Sequence, residues 1–226
     1  MRNNLSNSEE NYLKAIFKIY ERTQKAASTN AIAEQMSTKA ASVTDMLKRL
    51  SEKELINYKK YHGVTLTEKG SAIAKNLIRK HRLWEVFLTD KLQFAWDQVH
   101  ELAEQLEHIK SDELINRLDN FLENPKFDPH GDPIPDSSGH IEYRKQYFLS
   151  QLNKGDEAVI VGVYEHDTAF LKYLEQLHLL LGTRIKIVDL FDYDGSLLLL
   201  VNDHHQITIT SKVSKNLLVQ ISSDLS

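Results

Sequence analysis

Four side chains able to hold a metal ion, His100, Glu104, Glu107 and His108, stand at intervals of three and four in the run VHELAEQLEHIKSDEL, residues 99–114. At about 100° per residue they fall within one arc of roughly a quarter turn, with Val99, Leu102, Ala103, Leu106 and Ile109 opposite. Imidazole nitrogens and carboxylate oxygens are the donors that divalent first-row ions accept from proteins. An ordinary amphipathic helix presents the same pattern, but this arc contains no lysine or arginine. Glu101, Glu104 and Glu107 therefore repel at a few tenths of a kcal/mol per pair, and a bound cation would reverse the sign. Upstream, RKHRLWEVFL places His81 and Glu85 four residues apart, a second imidazole–carboxylate pair on one helical face. Two helices that each offer such a pair can surround one ion. A metallohydrolase could use the same groups around an open coordination position. It would also need a general base and a substrate pocket, and neither is legible, so no small-molecule substrate is expected.

The elements that must position these groups follow from periodicity. SEENYLKAIFKIYER (8–22) spaces Leu13, Ile16, Phe17 and Tyr20 as a helix with Ser8 as its N-cap. STNAIAEQM (28–36) reads as a short helix begun by Ser28 or Thr29, and AASVTDMLKRLSEKELI (40–56) as a longer one. INYKKYHGVTLT (56–67) alternates around a glycine and reads as a hairpin. A long helix over roughly 68–91 and two more within 94–123 complete the helical part. NPKFDPHGDPIPDSSGH (124–140) holds all four prolines of the chain and marks a domain boundary. Beyond it, five short strand-like runs and a helix at about 167–181 predict a small β-barrel.

Composition narrows the function classes. The 226 residues are 41% hydrophobic and 27% charged, with no apolar run of membrane-spanning length. The polar opening MRNNLSNSEE lacks secretory features, which predicts a cytoplasmic protein without a membrane partner. The absence of cysteine excludes disulfides, thiolate ligands and a cysteine nucleophile. Residues 1–80 carry 15 Lys and Arg against 8 Asp and Glu, whereas residues 81–226 carry 13 against 24. A basic front and an acidic back suit an anionic partner for the one and cations for the other.

Helix, short helix, turn, helix and hairpin is the order of a winged helix-turn-helix, whose second motif helix enters the major groove. In that helix Lys39, Ser42, Thr44 and Asp45 are short or polar enough to approach base edges, and Lys48 and Arg49 follow where phosphates would lie. The hairpin adds Tyr58, Lys59, Lys60, Tyr61 and His62 as a cationic tip for the sugar–phosphate backbone. Double-stranded DNA is the expected partner.

SEENYLKAIF, SVTDMLKRL, KKYHGVTLTEKG, RKHRLWEVFL, VHELAEQLEH followed by SDEL, and DPHGDPIP together closely resemble the diphtheria-toxin-repressor family of metal-dependent transcriptional regulators, in its manganese-type branch. The resemblance spans essentially the whole chain. It implies a mainly α N-terminal part, a winged helix-turn-helix (1–70) and a helical dimerisation and metal-binding domain (71–124). A Pro/Gly-rich linker (125–150) and a small all-β, SH3-like (FeoA-type) barrel (151–226) would follow. It further implies a homodimer on operator DNA with a divalent corepressor. A primary ion would lie on Asn11, Glu104, Glu107 and His108, and an ancillary ion on His81, Glu85 and His100 with Glu165 from the barrel, Asp167 being its rival. The family usually has Met or Asp where Asn11 stands, and Glu10 could replace Asn11 only if the helix were rotated. Glu104 stands where iron-type members carry cysteine. Oxygen in place of sulfur favours Mn²⁺, with Fe²⁺ and an iron-responsive regulator as the alternative.

Overall fold

The computed structural model describes residues 5–59 and 63–221. Helices α1 (Asn7–Thr23), α2 (Thr29–Gln35) and α3 (Ala40–Glu52) lead into a hairpin of β1 (Ile56–Lys59) and β2 (Gly63–Leu66). Three helices follow, α4 (Glu68–Asp90), α5 (Val99–Leu106) and α6 (Asp112–Phe121). The rest of the chain carries β3 (Tyr147–Phe148), β4 (Glu157–Val163), α7 (Thr168–Gln176), β5 (Arg184–Leu190), β6 (Leu197–Val201), β7 (His205–Ile209), α8 (Ser211–Ser214) and β8 (Leu217–Ile221).

Local chemistry sets the helix ends, and three differ from expectation. Ser6, not Ser8, caps α1: its hydroxyl accepts from the Glu9 amide, and Glu9 returns a carboxylate to the Ser6 amide at 2.9 Å, a capping box. Helix α3 stops at Glu52 because Glu54 turns left-handed, φ +57, and the Leu55 amide closes back on the Leu50 carbonyl. Helix α7 ends at Gln176 because His178 takes φ +56.

By internal packing the chain forms two units: residues 1–81 with 104–117 and 135–141, and residues 82–103 with 118–134 and 142–226. The boundaries therefore cut through α4, α5 and α6. The first unit centres on Leu13, Ile16, Ile32, Val43, Leu47, Leu50, Ile56 and Val64, which are buried and pack α1–α3 and the hairpin into one core. Paired backbone bonds of 2.9 Å between Ala27 and Val64 tie the hairpin to the start of α2. Gly70 lets the first turn of α4 cross the chain just before the hairpin, since a Cβ there would lie 1.9 Å from the Leu55 carbonyl oxygen.

In the second unit an antiparallel sheet runs in the order β3-β8-β4-β5-β6-β7. Bulges between Ile160 and Gly162 and between Ile187 and Asp189 give it the bend that a small SH3-like barrel requires. Alternate residues such as Leu197, Leu199 and Val201 face a core that also takes in Leu171 and Leu174 of α7 and Trp96. The two-residue β3 lies in the stretch expected to be linker; it pairs with β8 through Tyr147 and Phe148. That stretch is not loose. The Gly131 carbonyl accepts from Arg144 at 2.8 Å, and the Val163 amide donates to the His130 carbonyl at 3.0 Å. No described helix is long and apolar enough to cross a membrane.

Candidate metal centre

Glu107 is the hub of the first unit's cluster. Helix α5 ends at Leu106, so Glu107 and His108 lie in the turn that follows rather than on its solvated arc. Glu107 is fully buried, contrary to the expected polar row. Lys14 of α1 reaches it with Nζ 2.7 Å from each carboxylate oxygen, and His81 of α4 places Nδ1 2.6 Å from Oε2. Lys14 also lies 3.7 Å from Glu104, whose side chain is half exposed. The repulsion expected along this acidic row is therefore relieved from another helix. Burial alone would raise the Glu107 pKa, but the His81 hydrogen bond and the Lys14 charge more than offset it and hold the carboxyl below its usual range.

His108 faces the same carboxylate: Nε2 is 3.8 Å from Glu107 Oε1, while Nδ1 is 2.7 Å from Glu10 Oε2. Glu10 thus reaches a proposed ligand without any rotation of α1. A carboxylate on one imidazole nitrogen fixes the ring and leaves the other nitrogen to face an ion, the usual support for a metal-binding histidine. Asn11 follows Glu10 and precedes Lys14 by three residues, on the α1 face that meets residues 104–108. Its Oδ1 is buried without a hydrogen-bond partner, which costs free energy unless a cation or donor satisfies it.

The second unit also holds imidazole and carboxylate groups close together. Glu85, buried on α4, lies 3.2 Å from His100 Nδ1 and 3.7 Å from His130 Nδ1. One ligand atom each from Glu85, Asp128 and His130 lie within 4.8 Å of one another, and all three residues are buried. Asp128 accepts from the His130 and Asp132 amides at 2.8 and 3.0 Å, and Arg82 approaches Asp128 at 3.6 Å and Asp132 at 3.0 Å. The His130 Nε2 is held 2.8 Å from the Trp96 carbonyl. Burial, with Asp132 and Glu85 nearby, pushes the Asp128 carboxyl up to about 7. Burial opposes a charge on His130, yet Glu85 and Asp128 outweigh it and raise that imidazole to about 9.

Glu165, the expected barrel ligand, is half-buried, and Asp167 caps α7 by accepting from the Ala169 and Phe170 amides at 3.0 and 3.2 Å. Between them, His166 stacks on the His130 ring at 4.8 Å. Asp128, His130 and His166 were missed by the sequence reading. For Asp128 and His130 the available signal is DPHGDPIP itself, which sets an Asp and a His among prolines that mark only an interruption of regular structure.

Most of the residues expected to meet DNA lie on the exposed side of α3. Lys39 is the N-cap of α3, and Lys39, Ser42, Asp45, Lys48 and Arg49 are exposed. Thr44 is half-buried with its hydroxyl donating to the Ala40 carbonyl, and Lys48 pairs with Asp45 at 3.5 Å. Lys59 ends β1; Lys60, Tyr61 and His62 lie outside the described residues.

Nitrogen and oxygen donors without sulfur, converging from α1, α4 and the turn after α5, together with an orphaned Asn11 oxygen, fit a divalent metal ion. A winged helix combined with such a centre and a small β domain defines a metal-responsive DNA-binding regulator. Comparison with known proteins makes this particular. Residues 4–64 match the family model described as iron dependent repressor, N-terminal DNA binding domain; residues 67–136 match iron dependent repressor, metal binding and dimerisation domain; residues 148–221 match the FeoA domain. The uncharacterized HTH-type transcriptional regulator MJ0568 of Methanocaldococcus jannaschii is 36% identical over 122 residues, 54% of this chain and 98% of that protein. The iron-dependent repressor IdeR of Mycobacterium tuberculosis is 34% identical over 133 residues, 59% of this chain and 57% of IdeR. A solved manganese-dependent transcriptional repressor in complex with manganese superposes with a TM-score of 0.85 at 30% identity, covering 94% of this chain and 99% of that one. The chain belongs to the iron-dependent repressor family. The matching models and the named relatives are transcriptional regulators, IdeR and the manganese-dependent protein being repressors, so the hydrolase alternative is dropped.

Proposed function

We propose that the protein is a metal-dependent transcriptional repressor that binds double-stranded operator DNA as a homodimer, with Mn²⁺ favoured over Fe²⁺ as corepressor. The observation that carries this is the meeting of α1, part of the reading head, with the buried Glu107 and its neighbours His81, Glu104 and His108. Asn11, Glu104, Glu107 and His108 would hold one ion, with Glu10 orienting His108. Glu85, His100, Asp128 and His130 would hold a second. A bound ion supplies two positive charges and coordination bonds to hard oxygen and borderline nitrogen donors, a preference shared by Mn²⁺ and Fe²⁺.

The chain's own residues do the rest. Lys14 attaches α1 to Glu104 and Glu107 in the ion-free protein, Asn11 would do so through the ion, and the attachment would set where the exposed face of α3 points. In a dimer, two such faces must meet successive major grooves about one helical turn apart. Glu104, in place of a softer donor, supports manganese. The match to iron-dependent repressor models supports Fe²⁺ as the second reading. The test is selection of duplexes from a random library with Mn²⁺, then affinity for the selected duplex with Mn²⁺, with Fe²⁺ under anaerobic conditions, and with chelator. The expected order is Mn²⁺, Fe²⁺, chelator. Equal affinity in all three removes the corepressor role.

A further inference from the structure

Lys14 stands where a cation would be expected. Its Nζ is 2.7 Å from both Glu107 oxygens and 3.7 Å from Glu104 Oε1, with side-chain exposures of 8% for Lys14 and 0% for Glu107. Each oxygen of a carboxylate offers two lone pairs. Lys14 engages both oxygens, and His81 engages Oε2 as well. An ammonium this enclosed is not a solvated surface charge: removing either partner leaves the other buried and uncompensated.

We infer that Lys14 is a tethered competitor for the divalent ion, and that it sets the metal concentration at which the reading head responds. Its ammonium must give up Glu107 before that carboxylate can ligate. The inference rests on the proposed role of Glu107 as a ligand. It also recasts the switch. Lys14 already joins α1 to the turn after α5, so the response exchanges one bridge between these elements for another, rather than drawing loose parts together. Lys14 lies one turn along α1 from Asn11, so one helix face carries both the competitor and the orphaned donor.

The test is Mn²⁺ binding to the full chain, followed through the electron paramagnetic resonance signal of free Mn²⁺, with thermal melting in chelator alongside. Lys14→Gln is expected to bind Mn²⁺ roughly tenfold tighter or more while its chelated form melts lower, because the buried ion pair is lost. Lys14→Arg, which keeps the charge, should stay within a few-fold of the parent. Unchanged or weaker Mn²⁺ binding by Lys14→Gln overturns the competitor, as does a gain of equal size in Lys14→Arg. If Lys14→Gln does not fold, Lys14→Met keeps the apolar stem and must show the same gain. Glu107→Gln separates the two ideas. Parent-like Mn²⁺ binding by that variant removes Glu107 as a ligand, and the inference with it. Loss of Mn²⁺ there, without a gain in Lys14→Gln, removes only the competitor.

Discussion

The two imidazole–carboxylate clusters use the same residue types but balance their charges differently. Around Glu107, one deeply buried carboxylate meets a buried lysine and an imidazole, and the remaining acid, Glu104, is half in solvent. In the second unit Glu85, Asp128 and Asp132 lie together, with Arg82, Arg144, His100 and His130 as the basic groups around them. The protons show the same contrast. Glu107 is held below the usual carboxylate range by its partners, whereas Asp128 is pushed up to about 7 and His130 to about 9. At one cluster a lysine and an imidazole hold a buried carboxyl low; at the other, burial and crowded acids raise a carboxyl and an imidazole together. Similar ligand sets can therefore differ in threshold because of the non-ligating charge beside them.

The largest effect that could break this comparison is expected from Glu107→Ala. It strands Lys14 in the interior and should lower unfolding free energy by about 3–5 kcal/mol while abolishing Mn²⁺-dependent operator binding. Denaturant melts and fluorescence anisotropy check both, and a loss below about 1 kcal/mol would place Lys14 among weak surface pairs.

The next effect is a pH dependence of the second centre. His130 titrates at about 9 in the fold against 6.5 for the free group, so its contribution is full below pH 6.5 and is lost as pH rises to 9. Asp128, raised from 3.8 to about 7, imposes a penalty that grows over pH 4–7. Both make chelated protein less stable as pH rises. His130→Gln should flatten the portion between pH 6.5 and 9, and an unchanged profile would show that His130 does not hold that proton.

Gly131→Ala sharpens the contrast by disturbing one centre only. Gly131 has φ +89, and a Cβ would lie 2.1 Å from the Val161 carbonyl oxygen, so the loop bearing Asp128 and His130 must shift at a cost of roughly 1–3 kcal/mol. Mn²⁺ stoichiometry should fall by the ion proposed for that centre, while the response through Glu107 persists. The smallest effect belongs to neither. Lys48→Ala should weaken operator binding by about 1 kcal/mol and reduce the salt slope by about one, with the Mn²⁺ response unchanged. A salt titration in the presence of Mn²⁺ measures it.

Much of the fold was legible because it is local. The apolar spacing of Leu13, Ile16 and Phe17, the alternation around Gly63 and the capping residue Ser28 each act within a few residues. The candidate site was legible only in part. Glu104, Glu107 and His108 were found by spacing, but treating them as one solvated helical face missed the end of α5 and the inward turn of Glu107. Asp128 and His130 were masked by the prolines around them, since proline signals an interruption of regular structure and says nothing of burial.

From residue order alone came the succession of elements, the reading helix with its basic exposed positions, and the kinds of donor present. Partnership was decided by folding. Lys14 and Glu107 are 93 positions apart, His81 and Glu107 are 26, and His108 and Glu10 are 98. Periodicity reports which way a side chain leaves its own helix, while charge compensation depends on what another part of the chain brings to that place. A lysine on the first helix could therefore be counted from the sequence, but only the packed structure puts it on the carboxylate that an ion would need.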